Sequence, residues 1–120
     1  MYMLIHTLSK EARRRIIEEA VRVYGKKELA EMLNVSKAAV SKYLSEKTHP
    51  SDEVIRRLFS VSSDSLKKKF ILIIINELIS VIEELKNEIL NIELDSNIAD
   101  AILTLREKLY ELPVEGGYGE

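Results

Sequence analysis

Ser36, Lys37, Ala38, Ser41, Lys42 and Ser45 are the residues of this chain whose types and spacing point most directly to a chemistry. On a helix, Lys37, Ala38, Ser41, Lys42 and Ser45 share the face left outward. That face has small or basic side chains and no acid. Such a surface suits phosphate oxygens, because lysines neutralise them and small side chains permit close approach. Lys26, Lys27 and Lys47 flank it as weaker phosphate candidates. Covalent chemistry finds no comparable support. Without Cys there is no thiolate nucleophile, disulfide framework or thiolate metal site. His6 and His49 are far apart and belong to no motif. His6 reads as a partly buried histidine and His49 as an exposed loop residue. No Gly-rich phosphate loop and no paired metal-ligand spacing occurs. No catalytic residue, metal or cofactor is expected, and the chain is not expected to be an enzyme.

Two short helices joined by a tight turn must position the basic face. Leu29, Ala30 and Leu33 form the inner face of the first, and Val40, Tyr43 and Leu44 that of the second. Asn34 tolerates the left-handed conformation that a sharp turn needs. Val35 is an apolar plug between the helices, and Ala30 is small where they press closest. Ser36 can cap the second helix. Upstream, Ser9 caps a helix reaching Tyr24, with Glu11 in its first turn. Ala12, Ile16, Ala20 and Val23 lie on one stripe of it, and Gly25 ends it. Arg13, Arg14 and Arg15 fan around that helix, one or two within reach of a phosphate or all simply solvated. Downstream, Pro50 closes a loop that starts at Glu46. Ser51 caps a fourth helix packed through Val54, Ile55, Leu58 and Phe59, with Arg56 and Arg57 outward. Met1–Leu8 lacks the basic start and cleavage site of a signal peptide. It is expected as an extended arm or a short strand.

The stretch KKELAEMLNVSKAAVSKYLS, residues 26–45, resembles a helix-turn-helix of the Cro/C1-repressor type. Leu29, Ala30, Leu33, Val35, Val40 and Tyr43 fall where that family keeps its core. The following THPSDEVIRRL resembles its loop and fourth helix. The resemblance spans about residues 9–60 and implies binding to double-stranded DNA. It implies that Ser36, Lys37, Ala38, Ser41 and Lys42 meet base edges or adjacent phosphates. Asn34 stands where the family usually has Gly. The Gln often found early in the family's recognition helix is absent, so the family's base preference does not transfer.

Charge divides the chain. Residues 1–69 carry 15 Lys and Arg against 9 Asp and Glu, a net +6. Residues 70–120 carry 3 against 11, a net −8. The overall −2 therefore conceals a basic half, which coincides with the helix-turn-helix, and an acidic half. High charge, no Cys and only two Pro suit a mostly helical cytoplasmic protein.

The polar run Ser60–Ser65 is the expected domain boundary. Asp64 or Ser65 starts a long helix ending near Asn91, roughly 40 Å in length. Ile71, Ile75, Leu78, Ile82, Leu85, Ile89 and Ile92 alternate steps of four and three along it. Ile at heptad position a with mostly Leu at d favours a two-stranded parallel coil. Phe70, Leu72, Ile73 and Ile74 are also apolar, so a bundle around residues 70–82 is expected rather than a bare zipper. Asn76 and Glu77 break the run too soon for a membrane span of ~20 residues. Asp95 or Ser96 begins a last helix that folds back antiparallel and stops at Pro113.

The expected fold is therefore all-α: an N-terminal four-helix domain containing a helix-turn-helix (residues 1–63), then a long helical hairpin (64–113) and a flexible tail (114–120). The hairpin is expected to form a homodimer through Ile71, Ile75, Leu78, Ile82, Leu85 and Ile89. The function this supports is sequence-specific DNA binding, as a transcriptional regulator. The alternatives are an accessory protein of plasmid partition or recombination, and a helical protein-interaction module.

Overall fold

The computed structural model describes residues 1–114, so all but the first residue of the expected tail lies outside the described residues. The chain forms α1 (Tyr2–His6), α2 (Lys10–Leu33), α3 (Lys37–Leu44), α4 (Asp52–Val61), α5 (Asp64–Leu90) and α6 (Ser96–Tyr110). No strand occurs among the described residues, and the fold is all-α.

Polar side chains set the helix starts. Ser9 Oγ accepts from the Ala12 amide at 3.0 Å, Ser36 Oγ from Ala39 at 3.0 Å and Ser51 Oγ from Val54 at 3.2 Å. Ser63 Oγ accepts from Leu66 at 3.3 Å, and Asp95 Oδ1 from Ile98 at 2.8 Å. Each bond satisfies an amide that a helix start leaves without a partner. Gly25, at φ 79° and ψ 161°, breaks α2 into two helical segments. That conformation is essentially restricted to glycine. Asn34, at φ 56° and ψ 44°, makes the left-handed turn after α2.

Two compact units follow one another along the chain, Met1–Val81 and Ile82–Glu120. The core of the first is built from Ile5, Ile16, Ile17, Leu29, Leu33, Val40, Ile55 and Leu58, all at most 1% exposed. It also takes Leu66, Phe70, Ile73 and Ile74 from α5. The Phe59 and Phe70 rings sit 5.1 Å apart, tilted by 53°. Each such buried side chain contributes about 1.5–3 kcal/mol. The polar run Ser60–Ser65, expected as the domain boundary, thus lies inside the first unit. Glu77 strengthens this arrangement. Its carboxylate accepts from the Ser9 amide at 3.2 Å and from the Ser9 hydroxyl. A capping box draws that carboxylate from the same helix; here α5 supplies it to the start of α2.

Three expectations are corrected in this unit. Residues 1–8 hold neither an arm nor a strand: α1 is a short helix with Ile5 fully buried. Val23 does not join the buried stripe and is 53% exposed, in the last turn before Gly25. His6 is exposed rather than partly buried, and its Nδ1 lies 2.9 Å from Asp52 Oδ2.

The second unit comprises the last turns of α5, and α6. No residue of α6 is buried. Leu85 and Ile89 of α5, and Ile92 just beyond it, line an open apolar groove of about 490 Å³ together with Ile98, Ile102 and Leu105 of α6.

Candidate nucleic-acid interface

Helix α3 is held from within by Val40, fully buried, and Tyr43, 8% exposed. Burial pushes the Tyr43 phenol above its ordinary pKa. Ala39, Leu44 and the turn residue Val35 pack against the same core. These contacts fix which way the helix faces. Ser36, Lys37, Ala38, Lys42 and Ser45 are exposed, and Ser41 is half-buried among them. Ser45 Oγ donates to the Lys42 carbonyl at 3.3 Å, so its hydroxyl also closes the end of the helix.

Lys26 and Lys27 are exposed in the first turn after Gly25, and Lys47 is exposed in the loop after α3. That loop is anchored at both ends. The Lys47 amide donates to the Lys42 carbonyl at 3.0 Å, and Arg13 Nη1 donates to the Pro50 carbonyl at 3.1 Å. Just before Lys47, Glu46 takes φ 66°, an uncommon conformation for a residue with a Cβ.

The cations divide into two groups. Among the described residues, none of Lys26, Lys27, Lys37, Lys42 and Lys47 makes an ion pair within 4.0 Å. Most arginines of the first unit are committed internally. Arg14 meets Glu11 at 2.7 Å, Glu18 at 3.0 Å and Glu46 at 3.6 Å. The hydrogen bond with Arg14 lowers the Glu11 carboxyl pKa, and that with Glu11 raises the Arg14 guanidinium. Arg22 pairs with Glu18 and Glu19.

Arg13 is buried. It donates to the carbonyls of Ile5, Leu8 and Pro50 and reaches Asp52 at 2.6 Å. The fan of arginines read from the sequence therefore leaves only Arg15 without an ion pair among the described residues. Arg57 is not simply outward either. Its Nη1 donates to the Leu33 carbonyl at 3.2 Å and so ties α4 to the turn before α3.

Arg13, Asp52 and Arg57 are thus the residues that brace the exposed face without lying on it. Sequence reading missed them because their partners are distant or are backbone atoms. Asp52, hydrogen-bonded by His6 and Arg13, has its carboxyl pKa held below the ordinary value.

Residues 26–61 match the model of a family described as helix-turn-helix. The match covers under a third of the chain and makes this segment similar to DNA-binding helix-turn-helix domains of the Cro/C1 type. Its last residue is the last residue of α4. No curated protein and no solved structure matches the chain. Among the described residues no helix is long and apolar enough to cross a membrane, and no group of three or more acidic, His or Cys side chains is placed to hold a metal.

Proposed function

We propose that this chain is a homodimeric, sequence-specific binder of double-stranded DNA that regulates transcription by blocking or recruiting polymerase at a near-palindromic site. It acts in the cytoplasm, by binding rather than by catalysis. One observation carries this reading: the lysines on and beside α3 are exposed and unpaired while most neighbouring arginines are consumed internally. Exposed cations without partners are what a polyanion requires. In this reading α3 enters the major groove, with Ser36, Lys37, Ala38, Ser41 and Lys42 at base edges or adjacent phosphates. Lys26, Lys27, Ser45 and Lys47 meet the backbone on either side.

The homodimer rests on exposed apolar surface. Ile71, Ile75, Leu78 and Leu85 are 49%, 44%, 45% and 43% exposed in the single chain. Ile82 and Ile89 on the same stripe are half-buried. A single helix-turn-helix reads few base pairs, and pairing two places them on half-sites about 34 Å apart or a multiple of that.

Selection from a pool of random duplexes, followed by titration at several salt concentrations, tests the proposal. The expected result is an enriched palindrome whose affinity falls with salt by about 0.9 log units per log unit for each phosphate neutralised. Salt-dependent binding without any enriched site would leave a non-specific accessory protein. No binding at low salt would leave a protein-interaction module.

A further inference from the structure

The homodimer proposed above leaves open how its two α5 helices run relative to one another. Three observations bear on this. First, the apolar stripe of α5 divides along its length. Leu85, Ile89 and Ile92 share an apolar groove with α6, with Leu85 and Ile92 still 43% and 52% exposed, and Ile71, Ile75 and Leu78, outside that groove, are 49%, 44% and 45% exposed. The part of the stripe outside that groove is much shorter than the three or four heptads that mark a sustained coil. A short self-complementary patch suits an isologous crossing.

Second, α5 is charged oppositely at its two ends. Lys67, Lys68 and Lys69 lie near its start, and Glu83, Glu84 and Glu88, with a single Lys86, near its end. A parallel pair would set lysines against lysines. An antiparallel pair sets them against the acids.

Third, this shorter part of the stripe opens at its start into an apolar groove of about 460 Å³, lined by Met1, Leu4, Phe59 and Ile71 together with the cations Arg56 and Lys67. Such a groove fits an apolar helix carrying acids on its flank. The acidic end of a second α5 has that composition.

We propose that a second copy of this chain occupies this groove, with its α5 antiparallel to the first. Heptad spacing then fixes the register. Ile75 layers against Leu78 of the second copy, and Ile71 against Ile82 of the second copy. Lys67 falls beside Glu88 of the second copy, in two symmetry-related pairs. This inference rests on the homodimer reading and adds the direction and register of its helices.

The chain has no cysteine, so introduced thiols report without background. Full-length wild type is first sedimented at micromolar concentration. Lys67→Cys, Glu88→Cys and the double variant are then exposed to a mild oxidant. Positions 67 and 88 are separated by about 31 Å along one helix. A disulfide spans Cα atoms less than about 7 Å apart, so the double variant cannot close on itself within a straight helix. The expected result is a dimeric wild type, a covalent dimer from the double variant and no covalent dimer from either single variant. Single variants that cross-link as readily as the double would make the pair parallel and overturn the inference. A dimeric wild type with no cross-link in any variant would also overturn it and leave the homodimer standing. A monomeric wild type would remove both.

Discussion

Arg13 and Asp52 stand 39 positions apart in the chain and meet at 2.6 Å. The contact joins α2 to the first turn of α4. The same guanidinium also satisfies carbonyls at Ile5, Leu8 and Pro50. One side chain thereby fastens α1, the turn that follows it and the loop after α3. Arg13→Met keeps much of the apolar stem but leaves those acceptors unpaired. It should cost on the order of 3 kcal/mol, read from urea midpoints at neutral pH. A loss under 0.5 kcal/mol would mean water replaces the guanidinium at little cost.

The same cluster gives the stability a pH dependence. Hydrogen bonds from His6 and Arg13 lower the Asp52 pKa in the folded protein. Between the folded and unfolded values the unfolded chain binds more protons, so stability rises with pH there. The contribution is complete above the unfolded carboxylate value and is lost as pH falls through the folded one. Urea midpoints should therefore drop below about pH 4. Asp52→Asn should flatten part of that fall and lower the midpoint at pH 7. An unchanged acid limb in the variant would assign the dependence to other carboxylates.

Where the DNA-binding unit ends can be tested by truncation. A fragment ending at Ser63 loses Leu66, Phe70, Ile73 and Ile74 from the core. At about 1.5–3 kcal/mol each, these are comparable to the whole stability of a small domain. It should be largely unfolded, whereas a fragment ending at Val81 should unfold cooperatively. Circular dichroism with a thermal scan separates the two. A cooperative transition in the shorter fragment would show that the first four helices suffice.

Gly25→Ala isolates backbone strain from crowding. Beyond the local backbone and the adjoining residues, no atom lies within 4 Å of where the added Cβ would stand, yet the residue sits at φ 79°. The expected loss is about 1–3 kcal/mol, visible as a lower melting temperature. A smaller loss would mean that the break relaxes by shifting to a neighbouring residue.

On the exposed face, Lys37→Ala and Lys42→Ala should each weaken DNA binding while leaving helicity unchanged. A lysine on a base would also relax preference at one position, by about 1–3 kcal/mol, and one on a phosphate would instead reduce the salt slope by about one. Wild-type affinity for both variants across salt would exclude α3 as the reading helix.

What the sequence made legible was local. Ser9, Ser36 and Ser51 were readable as caps because each bonds an amide three residues on. Gly25 and Asn34 were readable because few residues adopt their backbone angles. The outward face of α3 followed from helical periodicity. What stayed hidden was long-range or small in scale. Arg13 looked like any surface arginine because nothing near it in sequence announces Asp52. Glu77 looked like an interruption of an apolar run, whereas it caps a helix 68 positions earlier. Phe70, Ile73 and Ile74 were legible as apolar and as part of a bundle, but nothing in their spacing told that, with Leu66, they enter the core of the first unit. Residues 1–8 were too short for periodicity to decide between conformations.

The part α5 takes in that core bears on the order of synthesis. Ile74 lies beyond the helix-turn-helix segment, yet the core of the first unit includes it. A nascent chain stopped just after α4 would hold the whole recognition motif and still lack the side chains that close its core. The folded DNA-binding unit thus becomes available only after the start of α5 has left the ribosome. By then the stripe proposed to pair two copies is already emerging.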